Sequence, residues 1–279
     1  MGTSLMPDNS SIDSSQLSDP ALVTTEREGH VLLIGINRPR KYNAFNLALI
    51  DQLGAAYEAL GDDGDLRAGV LFSHGEHFSA GLDLAEVAPE VASRGPIALT
   101  GNHRYDPFGL WAPPVPKPVV MAVQGIAFTL SIELALASDI VIAADDVRFR
   151  QLEIGRGIMP FGGATIRGPL QLGWGNAMRF LLTAEEFGAQ EALRIGLVQE
   201  VVPVGQQTER ALRIAQTIAD QAPLAVQSTL ANARIATGAG IDSAREHLTP
   251  TLAKLMSSED ALEGLDSFRD RRPANFTGR

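Results

Sequence analysis

The chain contains no cysteine, which removes disulfide frameworks, thiolate metal sites and cysteine nucleophiles at one stroke. A cysteine-free composition fits a reducing cytoplasm, and a cytoplasmic protein is expected. Positive charge is also scarce: 23 Lys and Arg stand against 33 Asp and Glu, a net charge of -10. General nucleic-acid binding relies on clustered Lys and Arg to displace counterions from phosphates, so none is expected. A polyanionic ligand must find a local basic patch. Long apolar runs are missing too. The most apolar stretch, residues 119 to 144, is interrupted by Gln124, Glu133, Ser138 and Asp139, whereas a membrane span needs about 18 uninterrupted apolar residues. The five histidines are scattered, and His74-Gly75-Glu76-His77 lacks the spacing of H-E-x-x-H. It reads as a polar turn before Phe78. There is no G-x-S-x-G, P-loop or G-x-G-x-x-G sequence, and neither a metal nor a redox cofactor is expected.

What is present is enough apolar content, 45% of 279 residues, for one large domain, with room for an appended helical segment. Residues 1 to 20 are rich in Ser and Asp, carry no basic side chain, and read as a disordered tail. From there to about residue 200 the pattern alternates. Val31 to Ile36 reads as a strand, Phe45 to Leu60 as a helix, Gly69 to Ser73 as a strand, Pro118 to Val123 as a buried strand, Leu130 to Ala137 as an apolar helix and Asp139 to Ala144 as another strand. Such alternation predicts an α/β core over residues 21–200. Residues 201–279 show mainly helical periodicity, with breaks near Pro223, Gly238 to Gly240 and Pro250. Pro113, Pro114, Pro116 and Pro118 mark a stiff connector, and residues 89 to 117 are expected to be irregular and substrate-adapting.

Two carboxylates stand among aliphatic side chains: Glu133 in Leu130-Ser131-Ile132-Glu133-Leu134-Ala135, and Glu153 in Gln151-Leu152-Glu153-Ile154. Desolvation raises a carboxyl pKa and makes an acid or base useful near neutral pH. The alternative for each is a structural glutamate paired with Arg148, Arg150 or Arg156. Gly81 and Gly125 each follow an expected strand and precede an expected helix. There glycine can aim backbone N–H groups at an anion, or simply make a turn.

In their order and spacing, four segments resemble the crotonase (enoyl-CoA hydratase/isomerase) superfamily. Asn37-Arg38-Pro39 to Asn43-Ala44 resembles its opening N-R-P-x-x-x-N-A turn, and Phe78-Ser79-Ala80-Gly81-Leu82-Asp83 its F-x-A-G-x-D motif. Ala122-Val123-Gln124-Gly125 with Glu133-Leu134-Ala135 resembles the second oxyanion segment, and Phe268 to Phe276 the closing F-x-x-[KR]-R-x-P-x-F pattern, with Pro273 one position early. The resemblance covers about residues 24 to 279. It implies a spiral of ββα units followed by helices that pack trimers or hexamers, and a coenzyme A thioester as substrate, as in fatty acid metabolism.

It further implies that the N–H groups of Leu82 and Leu130 hold the thioester oxygen, with Ala80, Gly81 and Asp83 lining that site. Glu133 and Glu153 match the glutamate pair of the family's hydratases, whereas its isomerases commonly keep the second alone. The basic turn of Arg38, Arg40 and Lys41, with Ala44, is expected to meet the coenzyme's phosphates, and Arg271 and Arg272 are further candidates. Phe128, Met159 and Phe161 are expected around the acyl group.

The chain departs from the pattern where Thr129-Leu130-Ser131-Ile132 replaces a Gly-rich run, and where Pro160-Phe161-Gly162-Gly163 is one residue short. An enoyl-CoA hydratase is the leading expectation. Isomerisation, thioester hydrolysis or C–C cleavage, and an inactive CoA-binding scaffold are the alternatives; a serine hydrolase through Ser131 lacks any histidine arranged to activate it.

Overall fold

A computed structural model describes residues 21–95, 99 and 102–279; the expected tail at 1–20 lies outside them. The first long strands are β1 (Val23–Glu28), β2 (Val31–Ile36) and β3 (Ala68–Ser73), with α1 (Leu47–Asp62) between the last two. After α2 (Leu84–Arg94) come β4 (Val119–Val123), β5 (Ile126–Phe128), α3 (Leu130–Ala137), β6 (Ile140–Ala144) and β7 (Arg148–Arg150). Next along the chain are α4 (Ala164–Gln171), α5 (Trp174–Thr183), β8 (Phe187–Gly188), α6 (Ala189–Ile195) and β9 (Glu200–Val202). Four helices end the chain: α7 (Gln207–Ala219), α8 (Pro223–Ala239), α9 (Ile241–Met256) and α10 (Glu259–Asp270).

Six strands form the large sheet in the order β1-β2-β3-β4-β6-β9, parallel throughout except for the β1/β2 pair. Strand β4, Val-Val-Met-Ala-Val, is apolar at every position because a central parallel strand is covered on both faces. On one face, Val70, Val120, Ala122 and Ile142 pack against Ala211, Ala215 and Ala219 of α7, whose small side chains at four-residue spacing let the helix lie close. On the other, Ile34, Leu71 and Met121 join the cluster that contains Leu49, Leu53 and Leu60 of α1. Helix α1 starts where it does because the Asn46 side chain accepts the Leu49 N–H at 3.0 Å, a cap worth about 1 kcal/mol.

A second, smaller layer has the order β5-β7-β8; an isolated bridge at Ser79–Ala127 extends it from β5, and another joins Phe45 to Leu82. The winding is therefore regular. Each turn gives a long strand to the large sheet, a short one to the small layer, and then a helix. Gly125 differs from its expected place for this reason: it separates β4 from β5, and α3 begins only after that short strand. At φ +54°, a methyl group there would fall 2.3 Å from the Glu76 carbonyl oxygen.

Two proline-based expectations are corrected. Residues 89 to 94 are helical, since α2 runs through Pro89 to Arg94, and α9 continues through Pro250. A proline removes one backbone donor, but the remaining turns on either side still hold each helix. The C-terminal stretch is tied back to the core by Arg67, which donates to the carbonyls of Ala219 at 2.9 Å and Phe276 at 2.7 Å. Among the described residues no helix is long and apolar enough to cross a membrane.

Candidate active site

The segment Ser79 to Asp83 is nearly saturated with backbone bonds. Ser79 N–H donates to Ile126, Ala80 to Tyr42, Gly81 to the Ser79 hydroxyl and Asp83 to Phe45. Among the described residues only the Leu82 N–H of this run has no acceptor. The same holds at the start of α3. Thr129 N–H donates to Arg150 and those of Ile132 and Glu133 to Thr129, which leaves Leu130 and Ser131 with open donors, as first-turn residues must have. The two open places adjoin. Gly81, at φ +96°, leaves so little room that a methyl group would fall 1.9 Å from the Thr129 hydroxyl oxygen.

Glu133 comes one turn into α3 and is 1% exposed. Its Oε1 accepts the N–H of Gly162 at 2.7 Å and of Ala164 at 3.1 Å, in the turn that leads into α4. Burial pushes its pKa up to about 8, aided by the Glu153 carboxylate and opposed by those two N–H groups and by the Arg167 guanidinium. Glu153 opens the turn after β7 and is 8% exposed. One oxygen accepts from Gln151 at 3.0 Å, and the other, Oε2, is buried without a partner among the described residues. Burial raises its pKa as well, against hydrogen bonds from Gln151 and the backbone. Both carboxyls are thus held above the ordinary carboxylate range by burial, and the charge of Glu153 adds to the shift at Glu133. The cleft in front of Glu153 is walled by Leu82, Thr129, Arg156, Ile158 and Phe161. A larger hollow of about 420 Å³ between α1 and residues 102 to 112 contains neither glutamate.

The site therefore offers two desolvated carboxyl groups, Glu133 and Glu153, and open N–H donors at Leu82 and Leu130. Residues 26–279 match the family model described as enoyl-CoA hydratase/isomerase. The chain belongs to that family. It is 36% identical to the 2,3-dehydroadipyl-CoA hydratase of Escherichia coli K12 over 91% of this chain and 97% of that protein. With the short-chain-enoyl-CoA hydratase of Clostridium acetobutylicum it shares 32% identity, covering 90% and 95% of the two chains. A crystal structure described as a probable enoyl-CoA hydratase/isomerase from Mycobacterium abscessus superposes with a TM-score of 0.89 at 51% identity, over 92% of this chain and 99% of that one. An enoyl-CoA hydratase structure from Mycobacterium tuberculosis superposes at 0.83 with 32% identity, over 93% and 100%. The ββα spiral is thus the crotonase fold.

Within this crotonase-family chain the expected site residues separate into two groups. Ala80, Leu82, Glu153 and Phe161 wall one cleft, Gly81 packs against Thr129 of that cleft, and Glu133 and Leu130 both stand against Gly162. The basic turn does not present all its charge: Arg38 is 14% exposed and ion-paired to Asp83 at 2.7 Å and Glu86 at 2.8 Å, and it also donates to the Ala44 carbonyl at 3.1 Å. Asp83 is therefore the anchor of Arg38. Arg40 and Lys41 are exposed. Met159 is 61% exposed and Phe128 sits in β5, so neither walls the cleft, where Ile158 and Leu84 stand instead. Arg272 pairs with Glu263.

Neither glutamate has the arginine partner that a structural role would give it. Arg148 binds Glu186 and Arg150 the Ala184 carbonyl, while Arg156 reaches Glu153 only through its field. Ser131 is buried with its hydroxyl donated to the Ser79 carbonyl at 3.3 Å, which removes it as a nucleophile. Three contributors went unforeseen: Gln151, Thr129 and Arg167. Arg167 was discoverable from its place one helical turn after Gly163, whose carbonyl accepts the Arg167 N–H at 2.8 Å.

Proposed function

We propose that the chain adds water across the 2,3 double bond of an enoyl-CoA thioester. The observation that carries this reading is the free, buried Oε2 of Glu153 in a cleft walled by Leu82 and Thr129, with the buried carboxyl group of Glu133 near enough to feel its charge. The thioester oxygen would accept the N–H groups of Leu82 and Leu130, which stabilise charge as it moves onto the carbonyl. Ionised Glu153 takes a proton from a water molecule as the water oxygen bonds the β carbon and the double-bond electrons move to the thioester oxygen. The enolate then collapses, and Glu153 hands that proton to the α carbon, so H and OH are added and Glu153 ends ionised as it began. Glu133, uncharged, orients the water.

Arg40 and Lys41 are the exposed cations nearest the opening turn and are suited to the coenzyme's phosphates. Exposed apolar side chains on the C-terminal helices, Leu248, Leu252, Leu262 and Leu265, support a trimer or hexamer; sedimentation that returns only monomer would remove that part. The resemblance to hydratases that act on short-chain and dehydroadipyl thioesters supports a soluble acyl-CoA as substrate.

The deciding experiment follows loss of the enoyl-thioester ultraviolet absorbance with crotonyl-CoA and a longer or aryl enoyl-CoA. Wild type should consume at least one of them, and Glu153→Gln should lose about a thousandfold or more in kcat. If both substrates persist while a CoA thioester binds, hydration is wrong. A second reading, isomerisation, draws on the fact that Glu133 Oε1 is already occupied by two N–H groups, leaving Glu153 as the free base. Retention of α-proton exchange in Glu133→Gln with loss of hydration would favour it.

A further inference from the structure

We propose that the side-chain hydroxyl of Thr129 is a third hydrogen-bond donor to the thioester oxygen, beside the N–H groups of Leu82 and Leu130. The inference rests on the thioester reading above and adds to it a residue that no backbone argument supplies. Thr129 holds φ +50° and ψ -108°, a conformation that L side chains avoid and β-branched ones avoid most. A glycine would occupy the same turn without strain. The strain persists at the seam of the cleft, where an outlier of this kind commonly accompanies function.

The position of the hydroxyl gives the strain a use. Its oxygen lies 1.9 Å from where a methyl group on Gly81 would be, and so rests directly over the Gly81 backbone. Leu82 follows Gly81 and Leu130 follows Thr129, so the hydroxyl is one residue from each open N–H. Thr129 Oγ1 has no hydrogen-bond partner among the described residues, and its backbone N–H and carbonyl are both used by neighbours. The side chain walls the same cleft as Glu153, whose buried Oε2 also lacks a partner, an independent sign that this space is built to receive a polar ligand. An enolate oxygen facing three donors is held more strongly than one facing two, and the third donor reaches it from a side chain that valine can mimic in shape and not in chemistry.

The test compares wild type with Thr129→Val, Thr129→Ser and Thr129→Gly. The probe is dimethylaminocinnamoyl-CoA, whose absorption moves to longer wavelength when its carbonyl oxygen is hydrogen-bonded. A parallel assay measures hydration of crotonyl-CoA. Thr129→Val should bind the probe within about threefold of wild type, show a smaller red shift, and lose on the order of 100-fold in kcat, the scale of one oxyanion donor. Thr129→Ser should keep the shift and stay within about threefold in rate. Thr129→Gly should melt at a higher temperature and still lose the same part of the shift.

An unchanged shift in Thr129→Val overturns the proposal. So does faster hydration by Thr129→Gly, which would mean that the hydroxyl obstructs the site. If wild type shifts the probe but hydrates no enoyl-CoA, the hydration reading fails alone and Thr129 is still judged on the shift. Failure of wild type to bind the probe removes both.

Discussion

Replacing Glu133 with glutamine should stabilise the protein, and the gain should grow as the pH rises. The carboxyl is buried at 1% exposure and titrates near 8 in the folded chain, against an ordinary value of 4.5. Its folded-state pKa is raised, so the folded state binds the extra proton. The stability this confers is fully present below about 4.5 and is lost as the pH rises through 8. Each pH unit in that window costs about 1.4 kcal/mol, so roughly 4 kcal/mol disappears between pH 5 and pH 9. Glutamine keeps the contacts: its carbonyl oxygen can accept from Gly162 and Ala164 as Oε1 does. It has no charge to bury.

The measurement is thermal or urea unfolding at pH 5 and pH 9 at one protein concentration, monitored by far-ultraviolet circular dichroism, because both tryptophans are exposed and report poorly on the core. A separation between variant and wild type that widens by about 8 °C at the higher pH is expected, at roughly 2 °C per kcal/mol for a chain of this size. Parallel curves at the two pH values would refute the argument, since they would mean that Glu133 folds already ionised. Repeating the comparison in Glu153→Gln isolates the group, and the widening should shrink because the neighbouring carboxylate that raises Glu133 is gone.

The other expectations concern groups around the pair. Arg167→Met removes a cation that lowers the Glu133 pKa, so the alkaline fall in hydration rate should move to higher pH, while Arg167→Lys should leave it close to wild type; a pH–rate profile decides. Gly81→Ala places a methyl group 1.9 Å from the Thr129 hydroxyl at φ +96°, and should cost about 1–3 kcal/mol of stability and at least tenfold in kcat/KM; wild-type kinetics would contradict the packing. Arg38→Ala leaves Asp83 and Glu86 without their partner and should lower stability by about 1–3 kcal/mol, with Asp83→Ala less than additive in the same background. Equal and additive losses would show that the ion pair does little.

How much of the fold and site is legible in the sequence depends on how local each feature is. Helix α3 is legible to the residue because it is apolar at every position but Ser131 and Glu133, and β4 because it is apolar without alternation. Strands β5 and β7 are three residues each, too short to show a period, and they exist because they pair with each other. Pro89 and Pro250 mislead because a proline's local cost is visible in sequence and the packing that offsets it is not. The glutamates are legible from their apolar neighbours. The pairing of Arg38 is not, since its carboxylate partners Asp83 and Glu86 lie 45 and 48 positions away. Met159 and Ile158 are adjacent aliphatic residues in a loop, and only the path of the backbone decides which one walls the cleft.

The twenty-residue interval between the glutamates is itself a product of the small layer. Strands β5 and β7 run parallel with Phe128 opposite Arg150, an offset of 22 residues. Beyond that pair the two chains diverge in form: the first winds into α3, the second goes on to the turn that Glu153 opens. Helical chain advances about 1.5 Å per residue and extended chain about 3.3 Å. Five residues past Phe128 and three past Arg150 therefore cover comparable distances from a common line, and those residues are Glu133 and Glu153. The pairing ends as Thr129 donates its N–H to the Arg150 carbonyl, so the strained residue that opens one carboxyl's helix is tied to the strand that leads to the other. Strand pairing brings the acid groups together, and their difference in surroundings arises beyond the paired residues. Glu133 enters a helix that buries it against the Gly162–Ala164 turn, while Glu153 stays at the rim with one oxygen free.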